Sequence, residues 1–98
     1  MPRNKDLSAY TALVTGASSG IGLEYARQLA AQGANLVMVS IDREDLDREA
    51  KQIVNTSGVS VETICMDLAQ PDAANKLYDH CRQKGIQIEL SLIHISEP

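Results

Sequence analysis

The stretch Thr15–Gly22, TGASSGIG, sets three glycines directly after the apolar run YTALV of residues 10–14. A short apolar run that ends in glycine reads as a buried strand. Behind it, residues 20–33 (GIGLEYARQLAAQG) place Ile21, Tyr25, Leu29 and Ala30 near helical spacing, with Gly33 as a C-terminal stop. Glycines between a strand and a helix have a specific physical use. Gly16 lets the chain turn sharply off the strand, and Gly22 lets the helix lie close against it. Gly20, without a side chain, lets a pyrophosphate come up to the backbone. The amide groups that open the helix, together with its dipole, favour an anion at that point. Ser18 and Ser19 add hydroxyl donors. The plainer reading of the same residues is a strand-to-helix turn that happens to be rich in glycine.

Outward from this turn the chain alternates. NLVMVS, residues 35–40, is a second buried strand. Asp42 is placed to cap the next helix, whose face carries Leu46, Ala50, Ile53 and Val54 and which Gly58 ends. VSVETICMD, residues 59–67, puts Val59, Val61, Ile64 and Met66 into a third strand. Pro71 and Asp72 open a third helix that turns Ala74, Leu77, Tyr78 and Cys81 inward, and Gly85 ends it. IQIEL, residues 86–90, begins a fourth strand. The order β-α-β-α-β-α-β implies an α/β fold with a parallel sheet, because each helix carries the chain back across the sheet. Helices on both faces explain why the first two strands are apolar throughout and do not alternate.

Composition narrows the function. The chain has 98 residues, 44% hydrophobic and 22% charged, as in a globular domain. Without Phe or Trp, its core falls to Leu, Ile, Val, Ala and Met. The net charge of −4 comes with acids and bases interleaved, and no basic stripe is present to neutralise phosphates, so nucleic acid is not the expected partner. No apolar run approaches the ~18 residues of a membrane span. MPRNKDLSAY, residues 1–10, lacks the apolar core of a secretory signal, so a cytoplasmic protein is expected, with residues 1–8 frayed. Cys65 and Cys81 are then reduced thiols, and neither His80 nor His94 completes a metal-ligand spacing with them.

LVTGASSGIG, residues 13–22, resembles the cofactor motif of the short-chain dehydrogenase/reductases, which share a T-G-x-x-x-G-[IL]-G pattern. The likeness runs on through LEYARQLAAQGANLVMVS (residues 23–40) and CMDL (residues 65–68), covering residues 9–89 as the amino-terminal part of such a protein. The resemblance implies a Rossmann-type sheet and a nicotinamide dinucleotide at the carboxyl ends of its strands. It implies that Thr15, Gly16, Ser18, Ser19, Gly20, Ile21 and Gly22 form the phosphate and ribose cradle. Asp67 would accept a hydrogen bond from the adenine amino group, with Leu68 contributing its backbone. Without the family, Asp67 is equally a cap for the turn that follows it. The choice between NAD and NADP falls on SIDRE, residues 40–44. Asp42 there repels a 2′-phosphate and Arg43 attracts one. With no Lys or Arg inside the glycine turn, the balance leans to NAD. Asp42 is also a natural helix N-cap, and one carboxylate does not easily do both.

The catalytic half of the family pattern is expected elsewhere. Members use a Tyr-x-x-x-Lys pair, a Ser upstream and an Asn that orders a water, the lysine lowering the tyrosine pKa. The residues four places after Tyr10, Tyr25 and Tyr78 are Val14, Leu29 and Arg82. Tyr78 and Arg82 sit too early in the chain and read as a packed tyrosine and a solvated arginine. No catalytic residue is assigned, and no metal site. The last nine residues, LSLIHISEP (90–98), match the in-frame translation of a common sequencing-adapter DNA and are set apart as an artefactual tail, although Leu90, Leu92, Ile93 and Ile95 can imitate a strand beside the first one. The expected function is the cofactor-binding part of an NAD(P)-dependent oxidoreductase acting on a carbonyl or alcohol. The alternatives are an inert nucleotide-binding fragment and a non-functional truncated product. The small-molecule substrate would bind in sequence not present here, and relatives of this kind are often dimers or tetramers.

Overall fold

The computed structural model of the chain describes residues 10–17 and 20–92. Seven elements follow one another: β1 (Thr11–Thr15), α1 (Gly20–Ala31), β2 (Asn35–Ser40), α2 (Arg43–Ser57), β3 (Val61–Cys65), α3 (Ala73–Gln83) and β4 (Leu90–Leu92). The expected alternation is therefore present in full. The sheet has four strands in the order β3-β2-β1-β4, and every pairing is parallel. Leu13 lies opposite Val37 on one side and Ser91 on the other, and Val37 in turn lies opposite Glu62.

Successive strand residues point to opposite faces, and each face has its own core. Ala12, Val14, Leu36 and Met38 pack with Leu23, Ala26 and Ala30 of α1 and with Leu46, Ala50 and Ile53 of α2. Leu13, Val37, Val39 and Ile64 pack with Leu77 and Cys81 of α3. The two central strands are thus apolar at every position because both of their faces are covered. α1 and α2 carry the chain outward from β1 to β3 on one face. α3 carries it back to the far side of β1 on the other. In open α/β sheets ligands bind outside the carboxyl ends of the strands at the point where the order reverses, which here is between β1 and β4.

The helix faces are rotated from those read off the sequence. On α1 the buried residues are Gly22, Leu23, Ala26 and Ala30, while Ile21 and Tyr25 are 62% and 49% exposed. Gly22 sets this rotation: a Cβ there would lie 2.2 Å from the carbonyl oxygen of Gly16. Only a glycine fits against the end of β1, and residues 23, 26 and 30 then turn onto the sheet. On α2, Val54 is exposed beside the buried stripe of Leu46, Ala50 and Ile53. On α3 the stripe is Ala73, Leu77 and Cys81, and Ala74 and Tyr78 face outward.

The strand ends differ too. Val59 precedes β3 and Met66 follows it, although both pack inward. The fourth strand begins only at Leu90, so it falls in the segment that the sequence reading set apart, and residues 93–98 lie outside the described residues. Ile86 and Ile88, expected inside the strand, instead close the α3 core from an irregular segment. Ile86 N–H donates to the Cys81 carbonyl at 2.8 Å there, which holds the chain in the helix-exit turn. Glu89 joins this segment to β1: its N–H donates to Thr11 O at 3.0 Å, and its Oε1 accepts from Thr11 N–H at 2.8 Å. Among the described residues no helix is long and apolar enough to cross a membrane.

Candidate functional site

Because all strands are parallel, the loops that leave β1, β2 and β3 emerge at one end of the sheet. They carry the glycine turn, the stretch Ile41–Arg43 and the stretch Met66–Leu68. Gly16 and Gly20 both take positive φ, 62° and 61°, a region where a side chain is strained. Gly16 makes the turn off β1. Gly20 opens α1, and a Cβ built on it meets nothing within 4 Å. Among the described residues nothing fills the space a side chain there would enter, and a flat or charged group can come directly to the backbone. α1 has no acid in its first turn to compete with an anion. Thr15, at the end of β1, is fully buried, whereas Ile21 is exposed at the helix start. Ser18 and Ser19 lie outside the described residues.

Hydrogen bonds tie the three loops into one rim. Ala17 N–H, inside the glycine turn, donates to Val39 O of β2 at 3.1 Å. Ser40 Oγ accepts from Asp42 N–H at 3.1 Å, and Ser40 O accepts from Met66 N–H at 3.0 Å. Cys65 Sγ donates to Ile41 O at 3.6 Å. Sequence reading missed Ala17, Ser40 and Cys65 as members of this rim. The signal for them is only their place at strand ends, which acquires meaning once the register is known.

Both aspartates singled out from the sequence take the cap role that was their plainer reading. Asp42 accepts from Asp45 N–H at 3.2 Å and so caps α2. Asp67 accepts from Ala69 N–H at 2.9 Å. Both remain exposed, as does Arg43, whose guanidinium lies 3.8 Å from Asp47. Leu68 is turned partly into the α3 core. Tyr78 is only partly covered, and Arg82 pairs with Asp79 one helical turn earlier. Among the described residues no group of acids, cysteines and histidines could hold a metal ion. A cavity of about 490 Å3 is lined by Thr11, Asn35, Ser60, Val61 and Glu89 among others, but it lies at the amino ends of the strands, away from the rim.

This geometry agrees with the family match. A model of the short chain dehydrogenase family matches residues 10–92. The chain belongs to that family. Among the curated short-chain dehydrogenase relatives, the very-long-chain 3-oxoacyl-CoA reductase of Schizosaccharomyces pombe is 45% identical over 64 residues, which is 65% of this chain and 19% of that one. Human 17-beta-hydroxysteroid dehydrogenase type 3 is 35% identical over 82 residues, 84% of this chain and 25% of that one. Among solved structures, L-sorbose reductase from Gluconobacter frateurii, complexed with NADPH and L-sorbose, superposes with a TM-score of 0.89 at 26% identity. That superposition covers 97% of this chain and 36% of the reductase. The chain thus spans about a fifth to a quarter of these two curated relatives, and about a third of the solved one.

Proposed function

We propose that this chain is the dinucleotide-binding part of an NAD(P)-dependent short-chain oxidoreductase that acts on a carbonyl or alcohol. The observation that carries the reading is the open backbone at Gly20. It stands at positive φ at the start of α1, beside the point where the strand order reverses. A diphosphate is the anion such a site suits, since oriented amides and the helix dipole act together on it. Gly16, Gly20, Ile21 and Gly22 would hold it, with Thr15 behind them and Ser18 and Ser19 contributing hydroxyls. Asp67 and Leu68 would receive the adenine. A nicotinamide dinucleotide supplies a transferable hydride when bound. This chain's own part is to bind and orient it. We read the proton-transfer residues as belonging to the rest of the family domain, and no catalytic residue is assigned here.

The lean to NAD finds no support in the comparisons, because the sorbose reductase holds NADPH. The loop also weakens it. The Asp42 carboxylate accepts from the α2 backbone, while the neighbouring Arg43 is exposed and only loosely paired. We read Arg43 as the residue offered to a 2′-phosphate. Titration of the 98-residue chain with NADPH and NADH, followed by nicotinamide fluorescence, tests both points. Gly20→Val is expected to weaken both nucleotides at least tenfold. Arg43→Ala is expected to weaken NADPH alone, by about tenfold, the loss of one charge-assisted contact. Unchanged affinity in Gly20→Val would sink the cradle assignment.

A further inference from the structure

We infer that Ser40 and Cys65 are positioning residues of the nucleotide site: together they clamp the Ile41–Asp42 peptide and so aim Arg43, the residue read above as meeting a 2′-phosphate. The clamp consists of one peptide unit and two side chains. The N–H of that unit, which belongs to Asp42, donates to Ser40 Oγ at 3.1 Å. Its carbonyl oxygen, which belongs to Ile41, accepts from Cys65 Sγ at 3.6 Å. A peptide unit is flat, so holding both its nitrogen and its oxygen fixes its plane. Ser40 and Cys65 are themselves register partners at the ends of β2 and β3. Ser40 O also accepts from Met66 N–H at 3.0 Å just beyond them. The sheet therefore fixes the two clamping residues relative to each other, and they in turn fix the loop.

Other features of the loop do not supply this tie. Ile41 is 68% exposed, so burial of its side chain does not anchor the turn. The Asp42 carboxylate accepts from Asp45 N–H, which starts α2 but does not join it to the sheet. Ser40, in contrast, is buried at the strand end. Arg43 follows the clamped peptide after one residue and is the first residue of α2. Its side chain is exposed and lies 3.8 Å from Asp47, so its direction is set by the backbone it leaves. A guanidinium meets phosphate oxygens through a planar fork, and its value depends on direction as well as charge. A loop held in place beforehand also avoids the cost of being ordered on binding. That the clamp serves a 2′-phosphate rests on the function proposed above.

Calorimetric titration of the 98-residue chain with NADPH and with NADH tests the clamp. Ser40→Ala removes the acceptor, and Cys65→Val removes the donor with little change in volume. Each is expected to lower the ratio of NADPH to NADH affinity about threefold, a smaller loss than that of Arg43→Ala, because the charge stays and only its aim is lost. The ratio compares two ligands on one sample, so partial unfolding of a variant lowers both affinities and cancels. Ser40→Thr keeps the hydroxyl and is expected to restore the native ratio. In an Arg43→Ala background neither change is expected to lower the ratio further, since effects that act through one residue do not add. An unchanged ratio in either Ser40→Ala or Cys65→Val overturns the clamp, as does the same loss with Arg43 already removed. The function reading fails differently. A native chain that binds neither nucleotide, or an Arg43→Ala chain with the native ratio, refutes that reading and the clamp's role with it. A ratio that falls in Arg43→Ala but in neither clamp variant refutes the clamp alone.

Discussion

Gly22 and Gly20 stand two residues apart and are required for different reasons. A Cβ at Gly22 would lie 2.2 Å from Gly16 O and 2.9 Å from Thr15 O, both backbone atoms that cannot swing away. Gly22→Ala must push α1 off β1, and overpacking of that kind costs about 2–3 kcal/mol. At Gly20 the space is empty and only the positive φ is strained. Gly20→Ala should cost about 1 kcal/mol. Urea denaturation of the two variants checks the order. If Gly22→Ala proved the milder change, the close approach of helix to strand would be wrong.

The element scale is where Asp42 is decided. It is the N-cap of α2, with extended backbone and its carboxylate on Asp45 N–H. At the other end Gly58, at φ 73°, closes the helix by donating its N–H to Val54 O at 2.8 Å. Asp42→Ala should therefore destabilise the fold by about 1 kcal/mol, and Asp42→Asn should be nearly neutral, because asparagine caps as well as aspartate. Thermal unfolding followed by circular dichroism distinguishes them. Equal losses in both variants would mean that the negative charge, and not the capping hydrogen bond, is what α2 needs.

Acid stability is a property of the whole molecule, and Glu62 contributes to it by joining β3 to α3. Lys84, first, and His80 hold its carboxyl below the ordinary glutamate range, against the opposing effect of burial. The native carboxyl is thus the stronger acid, and the unfolded chain takes up its proton first as pH falls. The stabilisation is complete above the unfolded value of ~4.3 and is lost as pH drops through the lower native one. Glu62→Gln should therefore cost stability at pH 6 and make little difference near pH 2, measured as urea midpoints at the two pH values. A constant gap would show that the charge on Glu62 is irrelevant to the fold.

Residues 11–65 show how the alternation of strands and helices could be read directly from the chain. Apolar runs, helical spacing and glycines at positive φ are local properties, and Gly16, Gly20, Gly33, Gly58 and Gly85 all fall where the chain must turn. The glycine turn was legible for the same reason, since its chemistry lies in the backbone it exposes. The outward turn of Ile21, Tyr25 and Tyr78 was not, because hydrophobic spacing alone leaves the rotation of a helix uncertain by a residue or so. Contact with the sheet removes that freedom: Gly22 against Gly16 fixes α1, and Leu77 and Cys81 among Leu13, Val37 and Ile64 fix α3. Tertiary structure alone likewise started the fourth strand at Leu90, through pairing with Ala12 across the length of the chain, and gathered Ala17, Ser40 and Cys65 into one rim. Those outcomes depend on residues far apart in sequence meeting at one distance and one angle, which no local pattern encodes.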